Sequence, residues 1–299
     1  MIEILTSLEL VGTIFAALLG LAFGSFLNVF LTRFPEGESI IAPRSHCRHC
    51  DHTLSWWENL PLLSWILLRG RCRSCRSRIG IRYPLVELAV GLLWAGCWIR
   101  FTQPLFTPDA GNTEIPHLLT HTLIQIVGYA ALCWLLVALA MLDAEHFWLP
   151  DWLTLPGIGA GFLFTLLETW SRWFFDRPVN LPHAAWHSTL AILAPAGAIL
   201  FIRLAYWIVR RREGIGLGDA KLMAMLGAWL GLRGSFESFL LAIFAASAAA
   251  FVWLTVLAIR RNTGEWAKMP LPLGTFLCVA ALVEVFCPQW LLNPTRLGF

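Results

Sequence analysis

Arg210-Arg211-Arg212-Glu213-Gly214-Ile215-Gly216-Leu217-Gly218-Asp219 runs straight into the almost wholly apolar stretch Ala220 to Leu232. The three arginines form a basic stop of the kind that sits beside a membrane. The glycine-rich turn after them delivers one carboxylate, Asp219, to the edge of an apolar segment. A carboxylate there is costly unless it has a partner or a task. The alternating glycines allow close backbone approach with no Cβ in the way. Gly-x-Gly-x-Gly also resembles a dinucleotide or methyl-donor loop, but no β-strand precedes it and no α/β unit surrounds it, so that reading is rejected. A second aspartate, Asp143, ends an earlier apolar run in the same manner, within Met141-Leu142-Asp143-Ala144-Glu145-His146-Phe147-Trp148-Leu149-Pro150-Asp151.

Composition agrees with a membrane setting. Hydrophobic residues make up 58% of the 299, charged residues only 14%, and the mean hydropathy is +0.66. So few charges cannot solvate the surface of a soluble body of this size. Sixteen tryptophans suit two aromatic interfacial belts. A spanning helix needs about 20 mainly apolar residues, with about 17 as the lower bound. On that measure spans are predicted near 10–31, 84–101, 122–142, 153–170, 186–208, 221–233, 237–259 and 271–291, the sixth being short. The expectation is an all-α, polytopic integral membrane protein with about eight transmembrane helices. The first apolar run lacks a basic lead-in and a small-residue cleavage site, so it reads as a retained helix rather than a signal peptide.

Basic residues set the orientation. With the N-terminus outside, the cytosolic segments hold Arg33, Arg44, Arg48, Arg69, Arg71, Arg73, Arg76, Arg78 and Arg82, then Arg210 to Arg212 with Lys221, then Arg260, Arg261 and Lys268. The spans and the far side keep Arg100, Arg172, Arg177, Arg203, Arg233 and Arg296, and the 102–121 loop carries Asp109 and Glu114 with no Lys or Arg. Asp143 and Asp219 then both fall at the cytosolic face.

Cys47-Arg48-His49-Cys50 and Cys72-Arg73-Ser74-Cys75 are two Cys-x-x-Cys knuckles separated by residues 51–71. Two such pairs read as a closed, tetrahedral four-thiolate zinc site with a structural role, because four thiolates leave no open position for a substrate. The neighbouring arginines offset its negative charge, and a cytosolic loop disfavours disulfides. Reduced, unmetallated thiols or two redox pairs are the plainer alternatives. His46, His49 and His52 are expected to be solvated, as are Asp51 and Glu58. Cys97, Cys133, Cys278 and Cys287 lie in or beside apolar runs and read as packing residues.

Two aspartates gathered in a poorly solvated cleft cannot both ionise easily; they share a proton, one acting as general base and the other as general acid. That pair activates water against a peptide carbonyl with no metal and no covalent intermediate, and its titration belongs to the pair. Taken alone, Asp143 reads equally well as a helix-end or interfacial residue. Asp151, after Leu149-Pro150, fits the N-cap of the next helix. A proton-coupled transporter would place its carboxylates at mid-membrane depth, whereas both lie near span ends here. A non-catalytic zinc-bearing scaffold is the other alternative.

The chain resembles the type IV prepilin peptidases, GxGD-type intramembrane aspartic peptidases, over nearly its whole length. Gly24-Ser25-Phe26-Leu27-Asn28-Val29 looks like that family's N-terminal signature, and the loop bearing Cys47, Cys50, Cys72 and Cys75 like its zinc-binding domain. Arg82-Tyr83-Pro84-Leu85-Val86-Glu87 resembles the lead-in to its second helix. Leu142-Asp143 with Leu149-Pro150-Asp151, and Gly214 to Leu222, resemble its two aspartate motifs. The resemblance implies that Asp143 and Asp219 are the catalytic pair and that Asp151 is not. It implies substrates that are prepilins and pseudopilins, cut after a glycine between a basic leader and a hydrophobic helix. Many members, generally those with the four-cysteine loop, also N-methylate the new N-terminus from S-adenosylmethionine, so the resemblance implies both activities, with a peptidase that does not methylate as the alternative; Glu87, Asn28 and Arg33 are polar elements of such a site or interfacial residues paired with one another. The implied division is a first transmembrane helix over 1–32, a cytosolic four-cysteine zinc-binding domain over 33–83 tied to methyl transfer, and a transmembrane peptidase domain over 84–299. The implied setting is the bacterial inner membrane, with the active site facing the cytosol, lipid as a partner and no nucleic acid.

Overall fold

The computed structural model describes residues 2–106, 115–175, 181–212, 216–259 and 271–288. Asp109, Glu114, Arg177, Arg260, Arg261, Lys268 and Arg296, and the Gly214-Ile215 part of the glycine turn, lie outside the described residues. Among those described, every regular element is helical apart from two isolated bridges, His46 with Thr53 and Arg71 with Arg78. The helices are α1 (Ile2–Arg33), α2 (Leu63–Leu67), α3 (Arg82–Thr102), α4 (Ile115–His146), α5 (Asp151–Phe175), α6 (Leu181–Arg210), α7 (Leu217–Ile259) and α8 (Leu273–Phe286).

The all-α expectation holds, and six of these helices are long and apolar enough to cross a membrane. The expected segments 221–233 and 237–259 share one element, α7, which is broken at Gly231 (φ 73°, ψ 179°). Glycine reaches that left-handed backbone without steric cost, so the break falls where the side chain is missing. The last expected segment is represented by α8, whose 14 residues are shorter than a bilayer crossing. Apolar side chains point outward in a way that only lipid tolerates: just 11% of the most apolar window of Pro182–Arg210 is buried, with Leu193, Phe201 and Val209 exposed.

Two compact units divide the chain, Met1–Ala138 and Leu139–Phe299. In the first, α1 and α3 meet through small residues. A Cβ on Gly20 would stand 2.9 Å from the Gly91 Cα, and one on Gly24 2.7 Å from the Glu87 Cα. Glycines four apart lie on one helix face and let two backbones touch, the usual way helices associate where no hydrophobic effect separates them from lipid. The Trp134 indole N–H donates to the Phe23 carbonyl at 3.1 Å, filling a polar need inside an apolar setting.

In the second unit, α7 packs on α5 and α6. The Thr165 hydroxyl donates to Ala228 O at 2.9 Å and the Trp229 indole N–H to Gly157 O at 2.8 Å. An added Cβ on Gly227 would land on the Ala191 carbonyl oxygen of α6. A backbone atom cannot swing aside, so Gly227→Val should prevent α6 and α7 from closing. The expected result is little monodisperse protein after detergent extraction, while Gly159→Ala, whose Cβ meets open space, extracts like the parent. Near the Gly231 break, Arg233 Nε donates to the fully buried Glu237 carboxylate at 2.9 Å, which gives that charge the partner its burial demands.

Candidate functional site

The first aspartate motif folds as its proline dictates. Pro150 pushes Leu149 out of the helical region, so α4 stops at His146 and α5 begins at Asp151. Phe147 takes a positive φ of 51° in the link. Asp143 therefore stands one turn before the end of α4, only 6% exposed. The Thr275 backbone N–H donates to its Oδ2 at 2.6 Å. The Thr275 hydroxyl lies 3.1 Å from both Asp143 Oδ2 and Ala140 O and shares its one proton between them. These donors fix the carboxylate before any substrate arrives.

Asp219 lies in the first turn of α7, half-buried, and accepts the Gly216 N–H at 3.1 Å on Oδ2. Leu149 sits between the two aspartate motifs. Its side chain comes 3.1 Å from where a Gly218 Cβ would stand and 3.0 Å from where a Gly274 Cβ would stand. The same Gly274 position is 2.9 Å from the Asp143 carboxyl carbon. Asp143 and the Gly218-Asp219 turn thus lie on either side of one buried leucine. Two separated carboxylates held by N–H donors, near the ends of their helices, can take and give protons around a bound water.

Asp151 is the first residue of α5 rather than its cap, and its carboxylate pairs with Lys221, two residues beyond Asp219. That pair ties the start of α5 to the start of α7. Sequence reasoning passed over Gly274 and Thr275. Their signal was a Pro270-Leu271-Pro272-Leu273-Gly274-Thr275 run opening an apolar segment, two breakers where a plain span needs none.

The four-cysteine loop forms two matching knuckles. Cys47 N–H donates to His52 O and Asp51 N–H to Cys47 O; in the second, Cys72 N–H donates to Ser77 O and Arg76 N–H to Cys72 O. Asp51 and Arg76, each directly after a knuckle's second cysteine, both take positive φ values (55° and 57°) that turn the chain back. All four sulfurs lie within 4.8 Å of one another, with Cys47 and Cys75 3.8 Å apart and Cys50 and Cys72 4.0 Å apart. Four sulfurs at about 2.3 Å from one zinc stand about 3.8 Å apart at the corners of a tetrahedron, so the cluster fits a metal ion of that size. Hydrogen bonding to Ser77, through its side chain and then its backbone, brings the Cys75 thiol down to about 6, favouring the thiolate that a metal takes.

Around this knot three expectations change. Glu58 is no solvated loop residue: it is 5% exposed, and the Ser55 N–H at 2.8 Å holds its carboxyl below the usual carboxylate range. His52 lies 3.4 Å from that carboxylate, outside the thiolate cluster. Arg33 does not pair with Glu87 or Asn28; its guanidinium donates to Ser39 O and Arg44 O. Cys97 and Cys133 are fully buried with sulfurs 3.8 Å apart, and Cys278 is fully buried too. Cys287, by contrast, is exposed just past the end of α8.

Fold and site together define a multi-spanning, all-helical membrane protein with two aspartates, Asp143 and Asp219, near helix ends and a four-cysteine cluster. Family models narrow this further: one described as "Bacterial Peptidase A24 N-terminal domain" matches residues 18–101, and one described as "Type IV leader peptidase family" matches residues 130–254. The chain belongs to the type IV leader peptidase family. A prepilin leader peptidase/N-methyltransferase of Stutzerimonas stutzeri is 33% identical over 95% of this chain and 93% of its own length. One of Burkholderia pseudomallei (strain 1026b) is 34% identical over 91% of this chain and 84% of its own. One of Myxococcus xanthus (strain DK1622) is 38% identical over 84% of this chain, which spans 65% of that relative's length. No solved structure gives a significant match.

Proposed function

We propose that this protein is an intramembrane aspartic endopeptidase that removes the basic leader of type IV prepilins and pseudopilins, then N-methylates the exposed N-terminus. The observation that carries the reading is the pair Asp143 and Asp219, set on two motifs around Leu149 and each fixed by backbone N–H donors. One carboxylate takes a proton from water as its oxygen adds to the scissile carbonyl carbon, and the protonated partner supports the oxygen that becomes negative. Collapse breaks the C–N bond, the departing amine takes the proton, and water has been added across the peptide. The position of both aspartates near helix ends matches a substrate whose hydrophobic helix stays in lipid while its charged leader stays in water.

In this reading residues 1–32 are the first transmembrane helix, 33–83 a cytosolic zinc-binding domain tied to methyl transfer, and 84–299 the peptidase domain. The basic loops favour a cytosolic side for the aspartates at the bacterial inner membrane. Cys47, Cys50, Cys72 and Cys75 hold a structural zinc. When bound, S-adenosylmethionine would supply the methyl group to the deprotonated α-amine, with S-adenosylhomocysteine as the leaving group.

The direct experiment incubates detergent-purified protein with a prepilin and S-adenosylmethionine and reads the product by mass spectrometry. Loss of the leader plus one methyl group is expected; an unaltered prepilin overturns the reading. A second experiment concerns the zinc. Cys47→Ser and Cys72→Ser should each drop bound zinc from stoichiometric to near zero by elemental analysis, and lower the thermal midpoint, since structural zinc contributes on the order of 10 kcal/mol to small domains. Parent protein purified without metal yet equally stable sinks the zinc assignment.

A further inference from the structure

In the first unit a cavity of about 530 Å³ opens between α1 and the loop that follows it. Its polar lining holds two arginines, Arg33 and Arg44, with Ser25, Ser45, Ser55 and Asn59, and no Asp or Glu. Arg33 is only 7% exposed, and its guanidinium donates to the backbone carbonyls of Ser39 and Arg44 at 3.1 and 3.4 Å. No carboxylate among the described residues pairs with either arginine. A buried guanidinium without an anion is costly. The cavity therefore suits an anion, and the planar fork of arginine suits one with paired oxygens, such as a phosphate.

The other wall is apolar and belongs to a spanning helix. Ala22, Phe26 and Val29 line the cavity from α1; with Arg33 they fall at helical spacing on one face. Arg33 is the last residue of α1, one of the six helices able to cross a membrane. Ala22 therefore stands about 17 Å further along the axis, at about 1.5 Å per residue, within the depth of the hydrocarbon layer. The loop side of the cavity is apolar where a water-facing loop would hide such groups. Ile41 is 88% exposed and Trp56 75%, and both line the cavity. Leu63, Ile66 and Leu67 of α2, a few residues further on, are exposed as well. Exposed apolar side chains gathered in this way mark a surface that meets another apolar phase, and tryptophan favours the boundary of lipid and water. One cavity thus joins a basic end to an apolar wall continuous with a spanning helix.

We propose that this cavity binds an anionic phospholipid: Arg33 and Arg44 take the phosphate, Trp56 sits at the level of the headgroup, and Phe26 and Val29 lie along the start of an acyl chain. Basic pockets beside spanning helices suit such headgroups. The lining, with no acidic side chain, selects against phosphatidylethanolamine, whose ammonium group would find no partner there, and in favour of phosphatidylglycerol or cardiolipin. A soluble phosphate would use the arginines but leave the apolar wall bare. A lipid held here fastens the loop after α1 to the bilayer. This rests on the membrane-spanning character of the chain and not on the reaction it catalyses.

Native mass spectrometry of the detergent-solubilised full chain, stripped of lipid and titrated with phosphatidylglycerol or phosphatidylethanolamine of matched acyl chains, tests this. Phosphatidylglycerol should bind about tenfold more tightly or better. Arg33→Gln and Arg44→Gln should each remove most of that preference, with the thermal midpoint unchanged. Because Arg33 also braces the loop, Arg44→Gln, at an exposed residue, decides the matter if Arg33→Gln misfolds. Arg78→Gln, exposed and outside the cavity lining, should bind like the parent; an equal loss there reduces the preference to surface charge and overturns the site. Glycerol 3-phosphate should not displace the lipid; if it does, the cavity belongs to a soluble phosphate and the lipid assignment falls. Equal affinity for the two lipids overturns the proposal, as does a parent-like preference in folded Arg44→Gln.

Discussion

Asp143→Asn and Asp219→Asn should each reduce prepilin cleavage by at least about a thousandfold, the upper part of what acid–base groups supply. Asparagine keeps the shape of the side chain and one acceptor oxygen. In Asp143→Asn that oxygen can still take the Thr275 N–H that now reaches Asp143 Oδ2, so both variants should extract, bind zinc and melt like the parent. What each loses is a group that exchanges a proton with water. The double variant should be no worse than either single one, because residues that act as a unit are not additive. The measurement is the initial rate of leader loss at saturating substrate. If either folded single variant cleaves within tenfold of the parent, the paired-aspartate mechanism is wrong.

Membrane character and helix positions were legible because lipid demands long apolar runs and tolerates nothing else as regular spanning structure in this class. The break between α4 and α5 was legible from Pro150. The break inside α7 was placed a few residues late: the sequence offers Gly227, Gly231 and Gly234 at similar spacing, and only packing decides which of them bends. Gly227 is held helical against α6, whereas Gly231 takes the left-handed backbone. The cysteine knot was readable from spacing alone, since each knuckle is built by local hydrogen bonds around its own pair. Glu58 and Arg33 were misjudged for the opposite reason. Their burial depends on how the loop folds over them, and no local periodicity encodes that.

The same logic explains why Gly274 went unseen and why its missing side chain should matter to cleavage. A Cβ there would come 2.9 Å from both the Asp143 carboxyl carbon and its Oδ2, and 3.0 Å from Leu149 Cδ1. Real Cβ atoms do not approach that closely, so something must move. Leu149 can give by a few tenths of an ångström, but the Asp143 carboxyl group, closer still, must shift as well. Moving it pulls its carboxylate off the Thr275 N–H. Misplacing a reacting group by about 1 Å can cost about a hundredfold in rate. Gly274→Ala should therefore lower cleavage by about that factor, and Gly274→Val by more, with zinc content unchanged. Gly218→Ala should be milder, because its Cβ would stand 3.1 Å from the Leu149 side chain, which can give by a few tenths of an ångström. Thr275→Val keeps the backbone donor but removes the hydroxyl, a hydrogen bond to a charged group worth about 1.5–3 kcal/mol. A loss of about ten- to a hundredfold is expected, with Thr275→Ser near the parent. Parent-like cleavage by Gly274→Ala would mean that Asp143 does not need to be held where α8 now holds it.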